Sequence, residues 1–283
     1  MRKFTEEEIK YFDNPYKVAI IATVDEDGDI HMFNASTLMN KGDDEMMFGE
    51  FVRGKSKKLI YRNPKTGFFI MSVDQHFWTG SMDFTHSVTE GEDYVYMNQY
   101  QLFRFNTYFG VCEVHYADLK NISEMKKLNL PGVIANALKV MAMKPFFAGD
   151  KNKKMLRPWA QKFMNGLITL EFLGYMGEDG YPKIVPVIQA QAASSSRIFL
   201  TKAPYSKMME DLRDGQRVGI YGFSLDMEAT HVNGVYHDGP FGTGYVEIDK
   251  LYATAPPISG EIDYNKKYEP VDFHDEPLAP NWI

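Results

Sequence analysis

The residues best equipped for chemistry sit between positions 53 and 65. Arg53-Gly54-Lys55-Ser56-Lys57-Lys58, followed by Arg62 and Lys65, places six cations in thirteen residues with no acid. Ser56 has the side chain of a helix N-cap. Lysine charge, a hydroxyl and free backbone N–H groups at a helix start make a phosphate site. The plain alternative is a solvated basic helix flank. A weaker echo lies at Tyr205-Ser206-Lys207, with Thr201 and Lys202 before it and Glu210 and Asp211 diluting its field. The seven histidines have no HExxH spacing, the one cysteine is Cys112, and no Gly-x-Ser-x-Gly is present. The sequence therefore offers no metal cluster and no nucleophilic triad, and no catalytic residue is assigned. His76-Phe77-Trp78 reads as core rather than as a stacking surface, and Met141, Met143 and Met155 as helix packing.

The elements that must position these residues are mostly strands. Thr5 and Glu8 have capping-box spacing for a first helix, which Asn14-Pro15 stops. Lys17 to Asp25 reads as a buried strand, Asp27-Gly28 as a hairpin turn, Ile30 to Leu38 as the returning strand and Glu45 to Phe48 as a third. Ser56 to Arg62 is a short helix before Asn63-Pro64, and Gly67 to Val73 another strand. Asp93 to Tyr96 and Gln101 to Tyr116 are β-prone. Ile122 to Asn165 changes to Lys, Met, Leu and Ala and reads as helical.

After Gly166 the order returns: strand, Glu178-Asp179-Gly180 turn, strand (Ile184 to Gln191, with Pro186 marking a sheet edge), turn, strand, Ser-Lys helix, strand. Gly28 to Ser56 spans 28 residues and Gly180 to Ser206 spans 26. This agreement of order and spacing predicts an internal duplication. Two such units joined in one chain would form an intrachain pseudo-dimer with raised effective concentration. The expected architecture is mostly β (α+β): repeats at 1–121 and 166–283, joined by a helical linker at 122–165.

The order strand, Asp-Gly turn, strand, Phe48-Gly49, Lys55-Ser56, Asn63-Pro64, strand resembles the FMN-binding split β-barrel superfamily, which includes pyridoxamine 5′-phosphate oxidase-related proteins and flavin reductases. The resemblance covers Pro15 to about Asp118 well and Leu167 to about Val246 more weakly. It implies two tandem split barrels and an FMN phosphate on Lys55 and Ser56, with Arg53, Lys57 and Lys58 in the same basic field. It implies an isoalloxazine beside Asn34, Ala35, Ser36 and Thr37, with the other half completing the pocket. Ser206 and Lys207 become the counterparts in a second, degenerate copy. The family's usual Asn in the helix is not found where Leu59 and Ile60 stand. Pro277 replaces the Arg that precedes Leu-Ala-Pro in true pyridoxamine phosphate oxidases, which argues against vitamin B6 oxidation.

The function expected is an FMN-dependent oxidoreductase, with NAD(P)H or another electron donor and a small-molecule redox substrate or acceptor. A non-catalytic flavin protein (storage, sensing or electron carriage) and a haem-binding split barrel are the alternatives. The net charge of −7 over 283 residues argues against a whole-surface nucleic-acid binder. No apolar run is long enough to span a membrane. The charged start, Met1 to Lys10, lacks a signal-peptide core, so a cytoplasmic protein without a membrane partner is expected. A further homodimer is left open.

Overall fold

The architecture is taken from a computed structural model that describes residues 4–42, 44–51, 55–100, 110–150, 152–166, 168–224, 228–253 and 260–262, with backbone alone at 55–57, 253 and 260. Helix α1 (Glu6–Phe12) carries the expected capping box: the Thr5 amide donates to Glu8 Oε2 at 2.9 Å and the Glu8 amide to Thr5 Oγ1 at 3.2 Å. Repeat 1 then runs β1 (Lys17–Val24), β2 (Ile30–Asn34), β3 (Met39–Asn40), β4 (Glu45–Glu50), α2 (Lys55–Ile60), β5 (Lys65–Ser72), β6 (His76–Val88), α3 (Glu92–Gln99), β7 (Glu113–Ile122) and β8 (Lys126–Lys127). The linker holds α4 (Leu130–Met143) and α5 (Pro158–Met164). Repeat 2 runs β9 (Leu170–Met176), β10 (Pro182–Pro186), β11 (Gln191–Ala192), β12 (Arg197–Thr201), a 3-10 turn (Ser206–Met209), β13 (Arg217–Phe223), β14 (Ala229–Asp238), β15 (Thr243–Ala253) and β16 (Gly260–Glu261).

The two sheets have one topology. The first orders its strands β2-β1-β5-β6-β7-β4-β3 and the second β10-β9-β13-β14-β15-β12-β11, all antiparallel. The equivalence extends to register. Ile20 pairs with Asn34 and Phe69, and Phe172, 152 positions later, pairs with Pro186 and Tyr221, each also 152 positions later. The Gly28 and Gly180 turns match, each with positive φ, where glycine carries no Cβ penalty. Even a β-bulge is duplicated, between Ser81 and Met82 and between Asn233 and Gly234. The expected mostly β tandem-repeat fold is the fold of this chain, and Pro186 lies on the edge strand β10.

Strand periodicity explains the long apolar runs. In β1, Ala19 and Ile21 enter the core of repeat 1, whereas Ile20, Ala22 and Val24 face repeat 2. In β13, Val218 and Ile220 enter the core of repeat 2, and Tyr221 and Phe223 face repeat 1. The resulting third core is the seam between repeats, with Phe69 and Phe172 at 4.9 Å between ring centroids. Trp78 and Phe77 are fully buried, as core residues should be, and the Trp78 indole donates to Glu8 Oε1 at 3.0 Å.

The strands expected over Ile30 to Leu38 and Ile184 to Gln191 end early, at Asn34 and Pro186, where turns closed by the Leu38 and Ala190 amides follow; two further segments change type. Asp93 to Tyr96 belongs to helix α3, where Glu92 and Asp93 occupy the first turn and suit the helix dipole. Asp93 also accepts from Tyr116 Oη at 2.6 Å and pairs with Lys41. The linker opens with strand rather than helix: β8 pairs with β6 before α4 begins. Gln101 to Phe109 lie outside the described residues.

Candidate functional site

A cleft of about 480 Å³ opens where repeat 2 meets repeat 1. Repeat 1 contributes Thr79, Gly80 and Ser81 of β6, Asn121, Ser123 and, from β8, Lys126. Repeat 2 contributes Asp179 and Tyr181 at the hairpin turn, Pro182 to Val185 of β10, and Pro204, Tyr205, Lys207, Met208 and Glu210 around the 3-10 turn. The wall is well tied down. The Thr79 amide donates to Ser123 Oγ at 3.1 Å, and the Ser123 amide returns a bond to the Thr79 carbonyl at 2.8 Å. Tyr205 Oη accepts the Asn129 amide at 3.0 Å and its ring meets Phe77 edge-on at 5.8 Å. Tyr175 Oη donates to the Met208 carbonyl at 2.7 Å.

Charge in the cleft is unevenly compensated. Lys183 is paired with Asp211, and Asp179 accepts the Tyr181 amide at 3.2 Å. Lys126 and Lys207, one from each repeat, make no ion pair among the described residues. Partial burial holds the Lys126 ammonium below its usual range, against the pull of Glu124. An ammonium so placed gains most from an anion.

The duplicated register identifies a twin position on the other side of the seam. There Asp29, the counterpart of Tyr181, has a fully buried side chain that accepts from Arg217 Nε at 2.8 Å and Lys250 Nζ at 2.6 Å. Arg217 also pairs with Asp249. Burial opposes the Asp29 charge, but the bonds from Lys250 and Arg217 outweigh it and leave the carboxyl below its usual range. His31 lies 3.0 Å from Asp25 Oδ2, and its ring stacks on His231 at 5.8 Å beside Tyr252.

The sequence-predicted residues are distributed as follows. Of them, the cleft takes in Lys207, while Ser206 is exposed beside it. The register makes Lys207 the counterpart of Lys55 and sets Met208 against Ser56, a shift of two from the pairing of Ser56 with Ser206 read in the sequence. Lys55, Ser56 and Lys57 lie in the first turns of α2, Lys58 is exposed, and Arg53 is outside the described residues. Asn34 ends β2 near the seam, and its side-chain oxygen is buried with no partner among the described residues. Ala35 donates its amide to the Ala19 carbonyl at 2.7 Å and opens a tight turn through half-buried Ser36 to Leu38. Thr37 Oγ1 donates to the Gly49 carbonyl and accepts the Gly49 amide, both at 3.0 Å, which pins this turn to β4.

A second polar group was not visible in the sequence. Glu50, Glu113 and His115 bring ligand-type atoms within 4.8 Å of one another. They are bonded internally: His115 Nε2 lies 3.0 Å from Glu50 Oε2, His115 Nδ1 lies 2.8 Å from Ser87 Oγ, and Tyr61 Oη donates to Glu113 at 3.0 Å. Burial first, then Glu113, pushes the Tyr61 phenol up to about 12.

No family model and no curated protein matches the chain. Similar solved structures match the length of one repeat. HupZ of Group A Streptococcus is 20% identical over 42% of this chain and 91% of its own, with a TM-score of 0.35. An FMN-binding protein from Syntrophomonas wolfei is 17% identical over 42% and 84%, with a TM-score of 0.35. General Stress Protein 26 of Bacillus anthracis is 14% identical over 43% and 97%, with a TM-score of 0.32.

Proposed function

We propose that the chain binds FMN at the seam between its repeats and acts as an FMN-dependent oxidoreductase, with a reduced nicotinamide or another donor supplying electrons. The observation that carries this reading is the cleft itself: Lys126 and Lys207 reach it from opposite repeats without a carboxylate partner. Its volume falls within the range of small-molecule sites. A dianionic phosphate would satisfy the two ammonium groups. Ser81, Ser123 and Thr79 offer polar contacts along one wall, and half-buried Tyr205 and Met208 an apolar surface along the other, which suits a flat amphipathic ring. At the twin position the unpartnered Asn34 oxygen fits an N–H donor on a ligand, next to the basic α2 segment. When bound, the flavin would supply hydride or electron transfer; the protein would bind, orient and shield it.

Flavin content and a visible spectrum of the purified protein test the reading and separate flavin from haem. Charge-assisted bonds contribute about 1.5–3 kcal/mol each, so losing one weakens binding roughly 10–100-fold. Lys126→Ala with Lys207→Ala should therefore release flavin held in the cleft. Lys55→Ala with Ser56→Ala should release flavin held at the twin position. Unchanged flavin content in both double variants would overturn the assignment. Anaerobic bleaching by NADH or NADPH supports a reductase over a passive carrier.

A further inference from the structure

Helix α4 carries only two polar side chains, Asn136 and Lys139, and for a surface helix this leaves an apolar face exposed. Asn129 caps it by accepting the Gly132 amide at 3.0 Å, and Val133 and Val140 face inward. The opposite face presents Leu130, Ile134, Leu138 and Met141, at helical spacing, with Ile134 62% and Leu138 63% exposed. Phe146 (86%) continues the surface beyond the helix. Phe241 adjoins it, since Lys139 Nζ donates to the Phe241 carbonyl at 2.6 Å, and that ring too is exposed.

Charge gives the second observation. Residues 127–170 carry eight Lys and Arg against a single acid, Asp150, within a chain of net charge −7. Lys127, Lys154 and Lys162 are exposed. Lys153 is paired with Glu247, and Lys144 is bound to Gln191 and Asn165, which carry no charge. α4 packs against β12, and Phe147 just beyond it stacks on Phe199 at 4.5 Å and lies 6.0 Å from Tyr245; Lys153 reaches Glu247 on the same face of β12 and β15, so the apolar surface runs on into the lysines at 153 and 154, while α5 covers the core face.

We propose that this linker docks the protein on an anionic lipid surface, with the α4 stripe entering the headgroup region and the lysines meeting the lipid charge. Apolar area and electrostatic attraction are the two contributions that hold an interfacial helix. A second copy is the weaker occupant, because a two-fold interface would set two cationic stretches against each other. Nucleic acid would use the cations but leave the apolar stripe uncovered.

The test is flotation of the full-length protein with vesicles of phosphatidylcholine alone or with about 30 mol% phosphatidylglycerol, at about 0.1 M salt. Binding to the anionic vesicles alone is expected. Ile134→Asp with Leu138→Asp, and separately Lys154→Glu with Lys162→Glu, should each weaken it at least about tenfold. All four positions are exposed, so folding should persist, and circular dichroism checks this. No flotation, or flotation indifferent to the Ile134 and Leu138 changes, overturns the proposal. So does a wild-type dimer that these changes dissociate without any vesicle binding, or duplex DNA binding that ignores them.

Discussion

The two sides of the seam occupy equivalent positions and hold different chemistry. On one side Asp29 is clamped by Arg217 and Lys250, with Asp249 completing the network. On the other, the same register positions are Tyr181, Lys65, Asn121 and Lys120; Lys65 lies over the Tyr181 ring at 5.0 Å, and Lys120 pairs with Asp83 and Asp118 instead of crossing to repeat 2. The first side is cross-linked by protein charge at Asp29. The second is a cleft in which Lys126 and Lys207 make no ion pair among the described residues. Backbone duplication therefore sets the equivalent positions, and a handful of side chains decides what chemistry each one holds.

The largest test acts on what both sides share. Gly67 and Gly219 are counterparts, each pressed against the other repeat's second strand. A Cβ at Gly67 would overlap the Pro182 carbonyl, and one at Gly219 would stand 2.9 Å from both the Ile30 carbonyl and His231 Nε2. Gly67→Ala should cost about 3 kcal/mol and Gly219→Ala about 1–2, as overpacking does, measured by denaturant unfolding. Equal costs would mean that the seam is softer at Pro182 than its geometry implies.

Asp29→Asn comes next. Arg217 and Lys250 are about one-third exposed, so water recovers part of their charge, and the loss should be about 2 kcal/mol. Because the folded-state carboxyl is held low, its contribution is present above the unfolded-state pKa and disappears as pH falls through the folded value. The Asn variant should lose that acid dependence.

Glu171 breaks the symmetry elsewhere: its counterpart is Ala19, and its buried carboxyl has no partner among the described residues. Burial raises its pKa well above the usual range. Stability is then fully present below the unfolded-state pKa and is lost as pH rises toward the folded value. Glu171→Gln should gain in melting temperature relative to the wild type between about pH 5 and pH 8. A constant difference would show that Glu171 does not titrate there. The smallest effect is expected for Lys65→Met, about 0.5 kcal/mol for an exposed cation–π contact, seen as a slight fall in melting temperature.

Much of the fold was legible because it is local. The Gly28 and Gly180 turns, the Thr5–Glu8 cap and the stop at Asn63-Pro64 are each written in adjacent residues. Alternation within β1 and β13 marks both faces as buried, though not which face meets the other repeat. The site was less legible because it is assembled across the chain. Lys126 lies in a segment whose composition favours helix, and only pairing of β8 with β6 carries it to the cleft. Tyr181 and Lys183 look like ordinary hairpin residues until repeat 1 is set against them. The shift of Met208 onto Ser56 has a similar cause: strand registers on both sides of the turn set the correspondence, and a matching Ser-Lys dipeptide does not override them.

Covalent tandem repetition also changes how such an interface can evolve. In a dimer of identical chains every substitution strikes twice, so an acid placed at the seam faces its own image's surroundings. Here Asp29 faces Arg217 and Lys250, while its counterpart at position 181 is a neutral ring. One gene copy of each half lets one side be tuned for adhesion and the other for vacancy, in single steps.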